Sequence, residues 1–230
     1  ATATIDGASF DAGDSIACTA TPTDGTDAGT PVTSTSVTVG NTAPSITSVA
    51  ITPAAGTEAT TFTCTPTGWS DIDGDTPSYQ YQWYVGVSAS VTTATIDGAS
   101  FDKGDMISCD ATPTDGVATG ATLSSGVVTV DNTPPSISSV AISPTSGGEA
   151  TTFTCTPAGW NDIDPADATP AYTYAWTVNS VPSVATATID GASFDAGDSI
   201  ACTATPTDGT DAGTPVTSTS VTVGNTAPSI

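Results

Sequence analysis

The sequence lacks histidine and arginine, and its single basic residue, Lys103, stands against 24 acidic residues in a chain of 230. Nucleophilic triads and most metal-assisted catalysis use an imidazole, so the absence of histidine predicts that the chain is not an enzyme. A net charge of −23 repels phosphate backbones and anionic lipid headgroups, which argues against nucleic acid and membrane surfaces as partners. Multivalent cations are the partners that this charge favours.

Long apolar runs and strong helix formers are also scarce. No stretch approaches the roughly 18 apolar residues of a membrane span, so we predict no membrane insertion in this segment. Leu, Lys, Arg, Gln and Glu are nearly absent, which argues against helices. Thr, Ser, Ala, Gly, Asp and Pro dominate, but regularly placed aromatic, β-branched and cysteine residues argue against a disordered stalk. The composition therefore predicts an all-β protein.

The sequence repeats itself. Residues 1–46 and 185–230 are identical, and a related copy lies between them. The motif Asn41-Thr42-Ala43-Pro44 recurs as Asn132-Thr133-Pro134-Pro135 and, unchanged, at 225–228, so the repeating unit is about 92 residues long. We predict two complete repeats, 47–137 and 138–230, preceded by the C-terminal half of a repeat, 1–46. We expect the chain to belong to a longer tandem array, with residues 1–46 completed either by the same polypeptide or by a neighbouring chain.

Each repeat alternates short β-prone segments with Pro, Gly, Asp and Asn, a pattern typical of a small β-sandwich. Tyr79, Tyr81, Trp83 and Val85 are spaced two apart, so on a strand they face one side, and we predict that side to be core. The strands predicted in the first complete repeat are Ser48–Thr52, Thr60–Thr65, Tyr79–Val85, Val91–Ile96, Met106–Ala111 and Val127–Val130.

A tryptophan lies between two cysteines in both complete repeats. These residues are Cys64, Trp83 and Cys109 in the first repeat, and Cys155, Trp176 and Cys202 in the second. This order resembles the immunoglobulin fold, in which a disulfide joins the two sheets and a tryptophan packs on it. The resemblance implies an all-β architecture of tandem sandwiches, each with one intersheet disulfide.

Cys18 occupies the position of Cys109 and Cys202, so the same resemblance implies a partner outside residues 1–230. The alternative is a chance free thiol. Paired cysteines at matching positions indicate an extracellular or cell-surface protein.

The loop GWSDIDGD is rich in carboxylates. Asp71, Asp73 and Asp75 suggest a calcium loop, but an EF-hand requires Gly at its sixth position and an acidic residue at its twelfth. Thr76 and Gln82 occupy those positions, which excludes an EF-hand.

Three motifs instead resemble the cadherin-like (PKD-like) repeats of prokaryotic cell-surface and filament proteins. They are the Asp-x-Asp loop between the second and third strands, ATPTDG after the cysteine strand, and the linker VTVDNTPPSI. The resemblance implies calcium bound between consecutive domains, by oxygen ligands from several segments. The candidate ligands are Asp102, Asp105, Asp131, Asn132, Asp162, Asp164 and Asp208 at one junction, and Asp71, Asp73 and Asp115 at the preceding one. The alternative is that these aspartates only form turns and a solvated surface.

Two further features bear on partners. Trp69 and Trp160 could stack on a sugar, although a tryptophan at this position is also suited to cap the core. The Thr- and Ser-rich strands could accept O-linked glycans. We predict a structural segment of an extracellular filament or surface stalk, whose partners are further copies of the repeat in the same or neighbouring chains. The alternative is an adhesin or carbohydrate-binding module.

Overall fold

The computed structural model describes residues 3–164 and 169–227. These residues form short strands and one 3-10 turn, Gly7–Ser9, so the prediction of an all-β protein is confirmed. In chain order the strands are β1 (Ser15–Ile16), β2 (Thr19–Ala20), β3 (Val32–Thr33), β4 (Val37–Thr38), β5 (Ser48–Thr52), β6 (Phe62–Thr67), β7 (Tyr79–Val85), β8 (Ser88–Ala89), β9 (Thr95–Ile96), β10 (Met106–Pro113), β11 (Leu123–Ser124), β12 (Val128–Thr129), β13 (Ser139–Ser143), β14 (Phe153–Ala158), β15 (Ala171–Val178), β16 (Val181–Pro182), β17 (Thr188–Ile189), β18 (Ser199–Thr207), β19 (Val216–Thr217) and β20 (Val221–Thr222).

The chain forms two compact units. Of the described residues, unit 1 holds 3–54, 62–96 and 106–128, and unit 2 holds 55–61, 97–105, 129–164 and 169–227. The predicted repeat boundaries after residues 46 and 137 remain a prediction.

Unit 1 contains a β-sandwich. One sheet has the strand order β5-β6-β9, and the other includes the order β11-β10-β7-β8, all antiparallel. The disulfide Cys64–Cys109 joins β6 of the first sheet to β10 of the second. Trp83 on β7 lies opposite Cys109 in the register and is fully buried. Residues 3–46 add two short strand pairs, β1-β4 and β2-β3.

Unit 2 repeats this arrangement. Its sheets have the orders β13-β14-β17 and β16-β15-β18-β19, with β20 also pairing with β18. The disulfide Cys155–Cys202 joins the two sheets, and Trp176 lies opposite Cys202. The prediction of one intersheet disulfide in each of two Ig-like sandwiches is therefore confirmed.

Alternation of small or apolar with polar residues explains why these segments form strands. In β10 the residues Ile107, Cys109, Ala111 and Pro113 are buried, while the residues between them are partly exposed. Successive side chains of a strand point to opposite faces, so this spacing sends one face into the core.

The predicted strand Val91–Ile96 is wrong over most of its length. Ser88–Ala89 pairs with β7 in one sheet, and Thr95–Ile96 pairs with β6 in the other. The intervening residues cross between the two sheets, so they cannot maintain one ladder. Leu123–Ser124 was not predicted, and the remaining strands agree with their predicted bounds to within two residues.

The predicted apolar face of β7 is only partly core. Trp83 is fully buried, but Tyr79, Tyr81 and Val85 are only partly buried. The tyrosines contact each other, with ring centroids 6.1 Å apart.

Candidate functional site

The linker at residues 41–45 is tied to two acidic loops of unit 1, and we call this arrangement the first clasp. Asn41 Nδ2 donates a hydrogen bond to Asp115 Oδ2 (2.9 Å), and the backbone N–H of Thr42 donates to Asp73 Oδ2 (2.6 Å). Ser45 and Ser70 exchange two backbone hydrogen bonds of 2.8 and 2.9 Å. The linker is therefore held along its length.

The linker at residues 132–136 forms an equivalent second clasp inside unit 2. Asn132 Nδ2 donates to Asp208 Oδ2 (2.8 Å) and Asp211 Oδ2 (3.0 Å). The Thr133 N–H donates to Asp164 Oδ2 (2.8 Å). Ser136 and Asn161 exchange backbone hydrogen bonds of 2.8 and 2.9 Å.

A buried proline and a small loop residue complete each clasp. Pro44 and Pro135 are fully buried. The carbonyl oxygens of Pro44 and Pro135 lie so close to Gly120 and Gly213, respectively, that a Cβ atom at either glycine would clash with them. Only glycine allows the backbone to approach this closely.

Each aspartate that receives a linker also shapes its own loop. Asp115 Oδ1 accepts from the N–H groups of Val117 (2.7 Å) and Ala118 (2.6 Å), leaving Oδ2 for Asn41. The Ala118 N–H, followed by the Asn41 amide, lowers the pKa of Asp115 below its usual value. The carboxylate is thus held ionised and oriented before any ligand approaches.

Asp208 is held in the same way in the second clasp. Its Oδ1 accepts from the N–H groups of Thr210 (2.6 Å) and Asp211 (2.7 Å). Partial burial raises the pKa of Asp208, but hydrogen bonds from Asn132 and the loop backbone, together with the charge of Lys103, outweigh burial, and the pKa is lowered.

A buried pair of carboxyl groups distinguishes the second clasp. Glu58 is 5% exposed and Asp164 is fully buried, and the two carboxyl groups act on each other electrostatically. Burial, and then this contact with Asp164, raise the pKa of Glu58 to about 7. Two carboxyl groups in contact favour sharing one proton over both being ionised. Glu58 Oε1 also accepts the Lys103 backbone N–H (2.6 Å).

The only basic side chain of the protein lies in the second clasp. Lys103 Nζ donates to Asn132 Oδ1 (3.0 Å), so the asparagine side chain connects the ammonium to Asp208 and Asp211. Alanine occupies the equivalent positions 12 and 196. Sequence reasoning missed both Lys103 and Glu58. A usable signal was that the sole basic residue lies between two predicted ligands, Asp102 and Asp105.

A set of three carboxylates in unit 1 offers a candidate metal centre. One oxygen from each of Asp71, Asp75 and Asp115 lies within 4.8 Å of the others. Asp71 Oδ2 is buried and has no hydrogen-bond partner among the described residues. Converging carboxylate oxygens, one of them unsatisfied, fit a hard cation such as Ca²⁺. Asp73, a predicted ligand, instead receives the Thr42 N–H.

The other predicted ligands occupy local structures. The Asp102 N–H donates to Asp105 Oδ2 (2.9 Å) within one turn. The Asp131 N–H donates to the Gly56 carbonyl oxygen (2.8 Å). Asp162 Oδ1 accepts the Asp164 N–H (3.1 Å), and this bond shapes the loop that receives Thr133. Of the predicted set at this junction, the hydrogen bonds bring together Asn132, Asp164 and Asp208.

The two loop tryptophans contact tyrosines edge to face. Trp69 and Tyr79 have ring centroids 5.7 Å apart, and Trp160 and Tyr172 have centroids 5.6 Å apart. Trp160 also packs against the core of unit 2. Both indoles are partly buried. This packing is what a core cap requires, and the two residues are not fully buried by it.

The sandwiches and their disulfides define the protein as a tandem array of Ig-like β-sandwich domains. The chain is similar, at low sequence identity, to several solved structures. They include the FN1–FN3 domains of chicken CNTN1 (14% identity, 82% of this chain and 67% of that chain, TM-score 0.34) and immunoglobulin domains 1–4 of Sidekick-1 (15% identity, 86% and 55%, TM-score 0.39). A third is a Ca²⁺-stabilized adhesin with which an Antarctic bacterium reaches out and binds ice (17% identity, 92% and 57%, TM-score 0.32).

Comparisons by sequence give no match. No family model matches the chain, and no curated protein matches it. Among the described residues, no helix has the length and apolar character needed to cross a membrane.

Proposed function

We propose that this chain is a structural segment of an extracellular filament or surface stalk, in which stacked Ig-like domains provide extension and rigidity. The observation that carries the proposal is the clasp, which recurs at residues 41–45 and 132–136 with equivalent hydrogen bonds. A linker fixed by its side chain, its backbone and a buried proline has little freedom to swivel. This role requires no catalytic step.

Two kinds of cation would stabilise the clasps in this proposal. Calcium held by Asp71, Asp75 and Asp115 would neutralise the loop that receives the first linker. In the second clasp, the ammonium of Lys103 supplies positive charge from the chain itself. A second calcium site stays a prediction, which thermal unfolding of unit 2 with Ca²⁺ or with chelator tests. Its predicted ligands are Asp102, Asp105, Asp131, Asn132, Asp162, Asp164 and Asp208.

An extracellular location is part of the proposal. The two disulfides are suited to an oxidising environment. Threonines on exposed strand faces, such as Thr203 and Thr217, whose hydroxyls lie 2.8 Å apart, would be the acceptors of O-linked glycans.

The rigidity can be tested inside unit 2 with a pair of spin labels. Cysteines introduced at the exposed positions Thr129 and Val181, in a Cys18→Ser background, would carry the labels. We expect a narrow distance distribution in the parent and a broader one in Asn132→Ala, because that change removes the bonds to Asp208 and Asp211. Asn161→Ala is the matched control, because Asn161 contributes backbone bonds to the clasp. A distribution already as broad in the parent would contradict the proposal.

The alternative, an adhesin or carbohydrate-binding module, is favoured by the partial exposure of the loop residues Trp69 and Trp160. A glycan array separates the two functions. Binding that is lost in Trp69→Ala and Trp160→Ala, with both disulfides intact, would support the adhesin. Unchanged or absent binding would leave these tryptophans as core caps.

A further inference from the structure

Residues 3–43 and 187–227 have identical sequences but different surroundings. In the later copy Ile200, Cys202 and Ala204 are fully buried in unit 2. Their counterparts in the earlier copy are Ile16, which is partly exposed, and Cys18 and Ala20, which are exposed. Because the sequence is the same, the difference comes only from what covers it.

The uncovered copy keeps the backbone arrangement of the covered one. The Cys18 N–H donates to Ser34 Oγ at 3.1 Å, and Cys202 makes the same bond to Ser218 at 3.1 Å. The hydroxyls of Thr19 and Thr33 lie 2.8 Å apart, as do those of their counterparts in β18 and β19. The surface is therefore already shaped for the segment that covers it in unit 2.

An open groove of about 580 Å³ marks the uncovered face. It is lined by residues that include Ile5, Ile16 and Cys18. In unit 2 the equivalent space is covered by β14, whose Phe153 pairs with Ile189 and whose Cys155 forms the disulfide to Cys202. Strand β15 then pairs with residues 200–207 of β18. In the uncovered copy, β18 is represented only by the short strands β1 and β2.

We propose that the face formed by residues 3–39 is a docking site for a chain segment with the sequence pattern of residues 138–184. The occupant is a front half-repeat that is not engaged in its own sandwich and carries a free thiol at the position of Cys155. The identity of the two copies sets the register: Phe153 of the occupant lies opposite Ile5, and Trp176 lies opposite Cys18 in the second sheet. The thiols of Cys18 and of the occupant's Cys155 give up two protons and two electrons to an external disulfide such as oxidised glutathione, and form the bond that Cys155 makes with Cys202 in unit 2. The inference does not depend on the stalk function.

The test adds a synthetic fragment of residues 138–184 to the full chain in a glutathione redox buffer. Peptide mapping by mass spectrometry should find a Cys18–Cys155 disulfide, with a yield at least about tenfold above that of a control fragment with Phe153→Asp and Trp176→Asp. The expectation is that Phe153 and Trp176, which are buried in unit 2, direct the docking. Equal yields from the two fragments would overturn the proposal, because Cys18 would then react only as an exposed thiol.

A second measurement does not require the disulfide. In a Cys18→Ser chain, the fragment should slow amide hydrogen exchange of residues 15–20 at least about tenfold, because these amides gain a β15-like partner strand. Unchanged exchange at saturating fragment would also overturn the proposal. In the redox experiment with the parent chain, Cys18–Cys18 dimers as the main product would likewise overturn it.

Discussion

Asn41 and Asn132 hold their linkers by equivalent bonds, but different charges surround them. The first clasp has the three clustered carboxylates Asp71, Asp75 and Asp115, and alanine stands at position 12, the equivalent of Lys103. The second clasp contains the buried Glu58 carboxyl group and the ammonium of Lys103.

The difference shows that the negative charge around the same linker arrangement can be balanced in two ways. A carboxylate cluster without an internal cation depends on ions from the solvent, whereas a lysine is always present at a fixed stoichiometry. We infer that the two clasps respond differently to metal ions and to pH.

Filling the glycine position should disrupt each clasp separately. Gly120→Val should destabilise unit 1, and Gly213→Val should destabilise unit 2, each by about 3 kcal/mol, because the added side chain meets a linker carbonyl. Hydrogen exchange read on peptides of each unit measures the change. Gly126→Ala is the control, because its Cβ would meet no atom within 4 Å. If either substitution destabilised only the unit that does not contain it, the clasps would not be the contacts that stabilise their own units.

The stability of unit 2 should depend on pH because the second clasp contains the Glu58 carboxyl group. Folding raises the pKa of Glu58 from 4.5 to about 7, so the folded state binds this proton more tightly than the unfolded state. Its contribution to stability is therefore fully present below pH 4.5, is lost as the pH rises to 7, and stays constant above that. Over this window unit 2 should lose roughly 3 kcal/mol in chelator-treated buffer.

Denaturant unfolding between pH 4 and 8 measures this slope. Glu58→Gln should remove it, because the amide cannot ionise. Glu149→Gln is the matched control, because Glu149 is the equivalent glutamate but is exposed. A slope that persists in Glu58→Gln would assign it to another group.

Removing the internal cation should weaken only the second clasp. Lys103→Met should lower the stability of unit 2 by about 2 kcal/mol at pH 7, because Asn132 and the surrounding carboxylates lose a charged partner. The Asp208 pKa should move up towards its usual value, which NMR titration measures. An unchanged Asp208 titration would mean that the ammonium does not act on that carboxylate.

Calcium should have the smallest effect, and mainly on the first clasp. At ten times its dissociation constant, the ion should raise the stability of unit 1 by about 1.4 kcal/mol. Asp75→Asn should abolish the gain, and Asp27→Asn, at an exposed position of unit 1, should not. Thermal unfolding with Ca²⁺ or with chelator measures this gain in stability. A larger gain in unit 2 would instead favour calcium at the ligands predicted around Asn132.

The predictions from sequence succeeded where periodicity or a matched pair carries the information. The Cys-Trp-Cys order implied both disulfides, and alternation located β5, β7 and β10. The Val91–Ile96 error has a different origin, because nothing in local β propensity reveals where a chain changes sheets. Glu58 and Lys103 were missed because their role depends on contacts with Asp164 and Asn132, which are distant in sequence.

The placement of the disulfides has a mechanical consequence. If the ends of the chain are pulled apart, the 45-residue separation between Cys64 and Cys109 remains closed by a covalent bond. About 150 Å of contour length is thereby kept out of the load path, at 3.3–3.6 Å per residue. Such a domain would yield under tension in short steps, and each step would leave a covalently closed loop from which the sandwich can re-form.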